Sequence, residues 1–255
     1  MTGGAHQVSE IFSRTRLVFG DDAMAKLKAA RVAVFGAGGV GGYIIEGLAR
    51  SGIGAIDIID KDTVAKSNIN RQIIALQSTT GRYKADVAAE RVKDINPDCK
   101  VTAHKVFFLP ENKDIFDFSK FDYIADAIDT VTAKLTLIEC ANASGVPIIS
   151  CMGTGGKTDP TRLEVADIYE TAVCPLARVM RTECRKRGIK ALKVVYSREE
   201  PIKSGITDPD TGKAIPGSTA FVPPAAGLII ASVIVSELGA LPRDPGRGAW
   251  KETLL

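Results

Sequence analysis

A glycine-rich turn between an apolar strand and an amphipathic helix constrains the fold of this chain more than any other feature. The apolar run 32–35 ends in glycines, and apolar residues at helical spacing follow over 44–49. A second apolar strand, 55–60, comes next. This order predicts a β-α-β unit, whose right-handed crossover makes the two strands parallel and covers the sheet with the helix.

Further strands and helices alternate along the rest of the chain. The patterns predict a helix over 83–95, strands near 101 and at 123–125, a helix through 135–141 and a strand at 147–150. Beyond residue 151 they predict strands at 163–168 and 192–196 with a helix at 175–187 between them. We therefore predict an α/β fold: a doubly wound, Rossmann-like, mostly parallel sheet, extended by antiparallel strands in the C-terminal half.

The length of 255 residues and the 45% hydrophobic content fit a single domain over 1–255. We predict a Rossmann-like core at about 30–152 and a sheet extension on the substrate side at about 153–240. The segment 199–217 is rich in Pro, Gly and Asp and has little periodicity, which predicts a mobile loop.

Composition indicates a cytoplasmic protein. The N-terminus has no apolar export segment, and five irregularly spaced cysteines do not suggest a disulfide framework. The uncharged stretch 218–236 approaches the length of a membrane span, but Pro223, Pro224 and Gly227 interrupt its start. We predict a core helix there and no stable membrane span. The net charge of +3 is too small to indicate nucleic-acid binding by itself.

The glycine turn is the first candidate binding feature. Gly36, Gly38 and Gly41 satisfy G-x-G-x-x-G after a strand and before a helix, with Gly39 inside the turn, so bare N–H groups and the helix dipole attract phosphate. Asp60 ends the next strand, where a carboxylate commonly holds ribose hydroxyls. The pattern predicts nucleotide or dinucleotide binding; a purely structural turn is the alternative.

The segment 67–72 favours ATP over NAD. It places a cation, Arg71, and three amides just past Asp60, and the charge of a triphosphate must be oriented and neutralised by such donors. The amides belong to Asn68, Asn70 and Gln72. Lys84, at the start of the next helix, supplies a further positive charge unless it is only a solvated lysine.

These motifs, with Asp129 at the end of the run 126–129, resemble the adenylating enzymes related to ubiquitin activation, the ThiF and MoeB group, over about residues 14–238. The resemblance implies that ATP adenylates a carboxylate and that Asp60 holds the ribose. It implies phosphate contacts from Asn68, Arg71, Gln72 and Lys84. It also implies Mg²⁺ on Asp129, and a carboxylate at the carboxyl edge of the sheet suits that ion.

In this family an arginine near the N-terminus reaches into the site of the partner subunit. Arg14 is the closest match here and Arg16 is its rival. The resemblance thus implies a homodimer with Arg14, Arg71, Lys84 and Asp129 as the catalytic set. It leaves open a cysteine desulfurase system as a further partner. Relatives that activate sulfur carriers usually hold zinc with two C-x-x-C pairs, which this chain lacks, so we expect no zinc.

The closer resemblance is to the tRNA threonylcarbamoyladenosine dehydratase branch, through the runs 125–129, 153–156 and 159–162 and through Lys134. It implies an ATP-dependent dehydratase that cyclises a modified adenosine in tRNA and releases AMP and pyrophosphate. The alternative within the family is an adenylyltransferase for the C-terminus of a ubiquitin-like sulfur-carrier protein. An NAD-dependent oxidoreductase and a non-catalytic scaffold are the alternatives outside these activities.

A tRNA substrate predicts a basic surface. Arg178, Arg181 and Arg185, at i, i+3 and i+7, share one face of the predicted helix 175–187. An ordinary solvated helix face is the alternative. Cys174, just before Pro175, is a candidate thioester-forming nucleophile, although the cyclisation requires none.

Overall fold

The computed structural model describes residues 10–207 and 216–241. Its seven named strands form one sheet in the order β3-β2-β1-β4-β5-β7-β6. The strands are β1 (Arg31–Phe35), β2 (Ala55–Ile59), β3 (Lys100–His104), β4 (Tyr123–Asp126), β5 (Ile148–Cys151), β6 (Leu163–Asp167) and β7 (Lys193–Ser197). The α-helices are α1 (Ser13–Phe19), α2 (Asp21–Ala29), α3 (Gly41–Arg50), α4 (Lys84–Ile95), α5 (Val131–Ser144), α6 (Pro175–Lys186) and α7 (Val222–Leu238).

The sheet is parallel except at one edge. Strand β1 lies between β2 and β4 and is parallel to both, and β5 is parallel to β4 and β7. Strand β6 returns antiparallel to β7 and forms the edge. The predicted doubly wound, mostly parallel sheet with its antiparallel extension is therefore confirmed. The strand order reverses between β1 and β4, and ligands of such sheets bind beside the carboxyl ends of the strands at that switch point.

The stretch predicted as a core helix forms α7, which packs against α3. Its two prolines lie in the first turn, where the missing N–H has no intrahelical partner in any case. Ile230 and Ile234 are fully buried. Within 10–207 and 216–241, no helix has the length and apolarity needed to span a bilayer.

The predicted loop 199–217 includes residues 208–215, which lie outside the described residues. Its described flanks pack against the turn that follows β5: the N–H of Ile202 donates to the carbonyl of Gly156 at 2.6 Å. The N–H of Gly156 donates in turn to the carbonyl of Gly217 at 2.7 Å. Both ends of the loop therefore meet beside one turn. The domain boundaries and the mobility of the loop stay predictions.

Candidate active site

A cavity of about 500 Å³ opens at the carboxyl ends of β1, β2 and β4, at the switch point of the sheet. Nine of the residues singled out in the sequence line it. They are Gly36, Gly38, Gly39, Asp60, Asn68, Arg71, Gln72, Lys84 and Asp129. The fold thus brings together, in one cavity, residues that are almost one hundred positions apart in the sequence.

The glycines of the turn differ in what an added side chain would contact. Gly36 has a φ of +94°, and a Cβ there would lie 2.7 Å from the carbonyl oxygen of Ala127. A Cβ on Gly41 would lie only 1.7 Å from the carbonyl oxygen of Gly36. Beside Gly38, the nearest atom to an added Cβ is Nε2 of Gln72, at 3.7 Å. Gly36 and Gly41 are therefore needed to fold the turn, while Gly38 leaves space on its cavity side.

Asp60 connects the glycine turn to the segment after β2. Its carboxylate accepts hydrogen bonds from the N–H groups of Ala37, at 2.7 Å, and Asp62, at 2.8 Å. Burial raises the pKa of Asp60, and the backbone donors and Lys84 only partly oppose that effect. Each carboxylate oxygen has lone-pair capacity left for a sugar hydroxyl.

Arg71 is held at the cavity by backbone and side-chain acceptors. Its Nη1 donates to the carbonyl of Ser67 at 3.1 Å and to Oδ1 of Asn70 at 2.8 Å. Asn70 does not line the cavity, and its Nδ2 donates to the carbonyl of Ser218 at 3.0 Å. Asn70 therefore orients Arg71 and connects it to Ser218. The predicted contact of Asn70 with the nucleotide stays a prediction. Asn68 lines the cavity and caps its own turn.

Gln72 is the one polar side chain of the described residues with a buried atom that lacks a partner. It is 6% exposed, lines the cavity, and its Oε1 has no hydrogen-bond partner among the residues described. A buried polar atom left unpaired costs about 1–3 kcal/mol. Because an amide can be turned to present either its NH₂ or its oxygen, Gln72 suits a polar ligand that enters the cavity.

Lys84 begins α4 and is 6% exposed. Its Nζ donates to Oδ2 of Asp62 at 2.9 Å, and its backbone N–H donates to the carbonyl of Asp62. Asp62 was not predicted from the sequence, although its position two residues after Asp60 puts it at the same edge of the sheet. Lys84 is thus a cavity-facing cation with a half-exposed counter-ion.

Asp129 lies in the turn between β4 and α5 and is exposed. Its carboxylate accepts one long hydrogen bond, from the Thr130 hydroxyl at 3.3 Å, and no cation of the described residues pairs with it. Within the same residues, no three His, Cys, Asp or Glu side chains form a metal-binding group. A single carboxylate beside a phosphate site fits Mg²⁺, which takes one or two carboxylates and completes its shell with phosphate oxygens and water.

The N-terminal arginines differ in their surroundings. Arg16 pairs with Asp21, while Arg14 is exposed on α1 and has no side-chain partner within the part of the chain that the structure describes. Arg14 does not line the cavity of its own chain. Of the two arginines, Arg14 is therefore the one without an ion pair among the described residues, so its guanidinium is available to contact another subunit.

The predicted basic face on α6 is formed, but its arginines are not equivalent. Arg178 is exposed, while Nη1 of Arg181 donates to the carbonyl of Thr171 at 2.8 Å. The guanidinium of Arg185 lies over the ring of Tyr169, 5.1 Å from its centroid. The helix begins at the cavity, which Leu176 lines. Cys174, just before the helix, is 1% exposed and belongs to the core beneath it, which disfavours a nucleophilic role.

The sheet, the glycine turn and the cavity at the switch point define a nucleotide-binding α/β protein. Residues 12–243 match the model of the ThiF family. The chain therefore belongs to the ThiF family, which confirms the resemblance predicted from the motifs.

Two relatives match this chain over nearly their whole length. The chain is 43% identical over 238 residues to tRNA threonylcarbamoyladenosine dehydratase of Bacillus subtilis, a match that covers 89% of this chain and 94% of that protein. The crystal structure of the Escherichia coli tRNA N6-threonylcarbamoyladenosine dehydratase, TcdA, in complex with ATP superposes with a TM-score of 0.82 at 34% identity, covering 90% of this chain and 93% of that one.

The similarity to a relative named as an adenylyltransferase/sulfurtransferase covers less of the chain. The probable adenylyltransferase/sulfurtransferase MoeZ of Mycobacterium tuberculosis is 36% identical over 130 residues. That match covers 51% of this chain and 33% of MoeZ.

Proposed function

We propose that this protein is an ATP-dependent tRNA threonylcarbamoyladenosine dehydratase that adenylates the threonyl carboxylate and closes it into a ring. One observation carries the proposal: eight of the ten residues predicted to bind ATP line one cavity, in a chain 43% identical to a dehydratase over 238 residues. The alternative, activation of a sulfur-carrier protein, is supported by partial similarities such as that to MoeZ, which covers 51% of this chain.

The proposed reaction has two steps. A carboxylate oxygen attacks the α-phosphorus of ATP, and the bond to the β-phosphate breaks to release pyrophosphate. The carbamoyl nitrogen then attacks the activated acyl carbon and loses its proton to solvent, and AMP leaves with the former carboxylate oxygen. The nucleoside loses one water in total. No covalent enzyme intermediate is needed, which agrees with the burial of Cys174.

The residues of the cavity supply positioning and charge. The triphosphate is bound by the N–H groups of the glycine turn and by the cations of Arg71 and Lys84. The carboxylate of Asp60 accepts hydrogen bonds from the ribose hydroxyls. The hydrogen bond from Arg71 to Asn70 orients the guanidinium. Such fixed donors stabilise charge that develops on the phosphate without reorganising during the reaction.

Asp129 is the proposed ligand of Mg²⁺. When bound there with phosphate oxygens, the ion would offset the negative charge at the α-phosphate. Among residues 10–207 and 216–241 the carboxylate of Asp129 has no ion pair and only the long hydrogen bond from Thr130, and its place at the cavity supports this assignment. The predicted absence of zinc, the cytoplasmic location and a desulfurase partner stay predictions.

We infer a homodimer in which Arg14 completes the cavity of the partner subunit. The helix that carries Arg14 has no buried side chain, and it exposes Leu17 and Val18 at 87% and 79%. Large apolar side chains exposed side by side are typical of surfaces that associate.

Mixing two inactive variants tests that inference. Subunits with Arg14→Ala and subunits with Arg71→Ala should each be inactive, whereas a mixed dimer has one site with both Arg71 and the partner's arginine. Random exchange should then restore about a quarter of wild-type activity, because half of the dimers are mixed and each has one intact site of two. Failure to recover any activity after subunit exchange, with dimers present, would contradict the arrangement.

The basic face of α6 is the proposed contact for tRNA phosphates. It starts at Arg178, two residues after the cavity-lining Leu176, and Arg178 and Arg185 are about 10 Å apart along the helix at 1.5 Å per residue. An RNA strand bound along this face would therefore begin close to the cavity. Because Arg181 is bound to Thr171, part of its role is structural.

Replacing Arg178 and Arg185 together with alanine should weaken tRNA binding and reduce the slope of log affinity against log salt by about 1 to 2, since two phosphate contacts are lost. Arg198→Ala is the matched control, because Arg198 is an exposed arginine paired with Glu164 on another surface. Filter binding over a salt series measures both effects. An unchanged slope in the double variant would remove α6 from the tRNA interface.

The choice between the two activities rests on what triggers ATP cleavage. Purified protein with Mg-ATP should release AMP and pyrophosphate when given tRNA that carries threonylcarbamoyladenosine. It should not do so with a carrier protein that ends in Gly-Gly. The opposite result would assign the chain to the sulfur-carrier group.

A further inference from the structure

Three polar side chains lie fully buried beneath the cavity: Asp126, Lys134 and Ser150, here called the Asp126 cluster. The ammonium of Lys134 donates to Oδ2 of Asp126 at 3.0 Å, to Oγ of Ser150 at 3.2 Å and to the carbonyl of Cys151 at 2.8 Å. The Ser150 hydroxyl also donates to Asp126. All three ammonium hydrogens thus have acceptors, and α5 is tied to the ends of β4 and β5.

The cluster supports two walls of the cavity at once. The second oxygen of Asp126 accepts a hydrogen bond from the N–H of Ile128 at 3.1 Å, in the turn that carries Asp129. Lys134 holds the carbonyl of Cys151, the first of the residues 151–155 that line the cavity after the neighbouring strand β5. One buried ion pair therefore connects the turn of Asp129 to the adjacent part of the cavity wall.

Stability alone does not account for this arrangement. Removing two charges from water costs several kcal/mol per ion, and well-packed apolar residues often replace a buried pair with no loss of stability. Asp129 itself has little support, because its only side-chain hydrogen bond in the described structure is the 3.3 Å contact with Thr130. The backbone contacts of residues 127 and 128 hold its turn instead.

We propose that the Asp126 cluster is a positioning device that fixes the Asp129 turn relative to the wall 151–153, and so sets how the metal-binding carboxylate meets ATP. Asp126 and Lys134 act through Asp129 and touch no substrate. The inference rests on the proposed function, since it takes Asp129 as the Mg²⁺ ligand.

The test uses the apolar pair Asp126→Leu/Lys134→Met, which removes both charges together. Calorimetry measures the dissociation constant of ATP without and with Mg²⁺. The constant without Mg²⁺ divided by the constant with Mg²⁺ is a ratio that reports the metal contact. We expect the ratio to fall about tenfold while ATP affinity without Mg²⁺ changes less than about twofold. Adding the pair to Asp129→Asn should change the ratio no further, because the cluster acts through Asp129.

Two further variants make the result decisive. Ser150→Ala removes the hydrogen bonds of Ser150 with Lys134 and Asp126 but keeps the ion pair, so it should fold even where the apolar pair does not, and should lower the ratio about threefold. Glu46→Gln weakens a remote ion pair between the buried Glu46 and the partly exposed Arg91, and it should lower Tm while leaving the ratio unchanged.

An unchanged ratio in the folded cluster variants would overturn the inference. So would effects that add to that of Asp129→Asn, or a wild type whose ATP affinity does not respond to Mg²⁺. Failure of the wild type to convert tRNA would instead reject the proposed function, because the binding ratio does not depend on the substrate.

Discussion

Replacing Arg71 with alanine is expected to lower the rate of pyrophosphate release by about two to three orders of magnitude, the usual loss when one fixed donor to a developing charge is removed. The guanidinium is held at the cavity by Ser67 and Asn70, so it needs no reorganisation to meet the triphosphate. The protein should stay folded, because neither hydrogen bond of Arg71 lies in the core. Single-turnover release of pyrophosphate measures the effect.

Two controls locate the cause of that loss. Arg71→Lys keeps the charge but loses the planar fork, so we expect an intermediate rate. Arg82→Ala removes a nearby exposed arginine that pairs with Glu90 outside the cavity, and its rate should match the wild type. An Arg71→Ala variant with an unchanged rate would show that the cavity does not bind the triphosphate as proposed.

Replacing Gly41 with alanine should damage both stability and ATP binding. The new Cβ would lie 1.7 Å from the carbonyl oxygen of Gly36, and that oxygen is a backbone atom that cannot turn aside. The turn must open, so we expect a loss of about 3 kcal/mol in the free energy of unfolding. We expect no measurable ATP binding. Urea unfolding and calorimetry measure the two effects.

Gly38→Ala is the matched comparison within the same turn. Its Cβ would meet only the end of the Gln72 side chain, at 3.7 Å, so stability should change little. ATP affinity should still fall, because the methyl group occupies the space where phosphate approaches the backbone. Equal stability losses in the two variants would contradict the division of roles within the turn.

The sequence predicted the fold well because its signals are local. The apolar runs of β1, β2, β4 and β7 and the helical spacing in α5 and α6 each lie within one element. The helices α1 and α2 were not predicted, because the early residues form no clear apolar face. On α1 no side chain is buried, so the usual periodicity is absent there.

The residues of the candidate site could be predicted where they lie together in a short sequence motif. The glycine turn, the segment 67–72 and Asp129 each occupy a short stretch of sequence. The Asp126–Lys134–Ser150 contacts could not be predicted, because sequence patterns do not show which polar side chains become buried together. The hydrogen bond from Asn70 to Ser218, 148 positions away, could not be predicted either, and the predicted contact of Asn70 with the nucleotide stays a prediction.

Mass spectrometry of nucleosides tests the central claim most directly. Isolated tRNA that carries threonylcarbamoyladenosine is incubated with the protein and Mg-ATP and then digested. The proposed function predicts that the modified nucleoside loses the mass of one water and that one AMP forms for each conversion, with Arg71→Ala inactive. An unchanged nucleoside mass, with active ATP cleavage on a Gly-Gly-ended carrier protein, would contradict it.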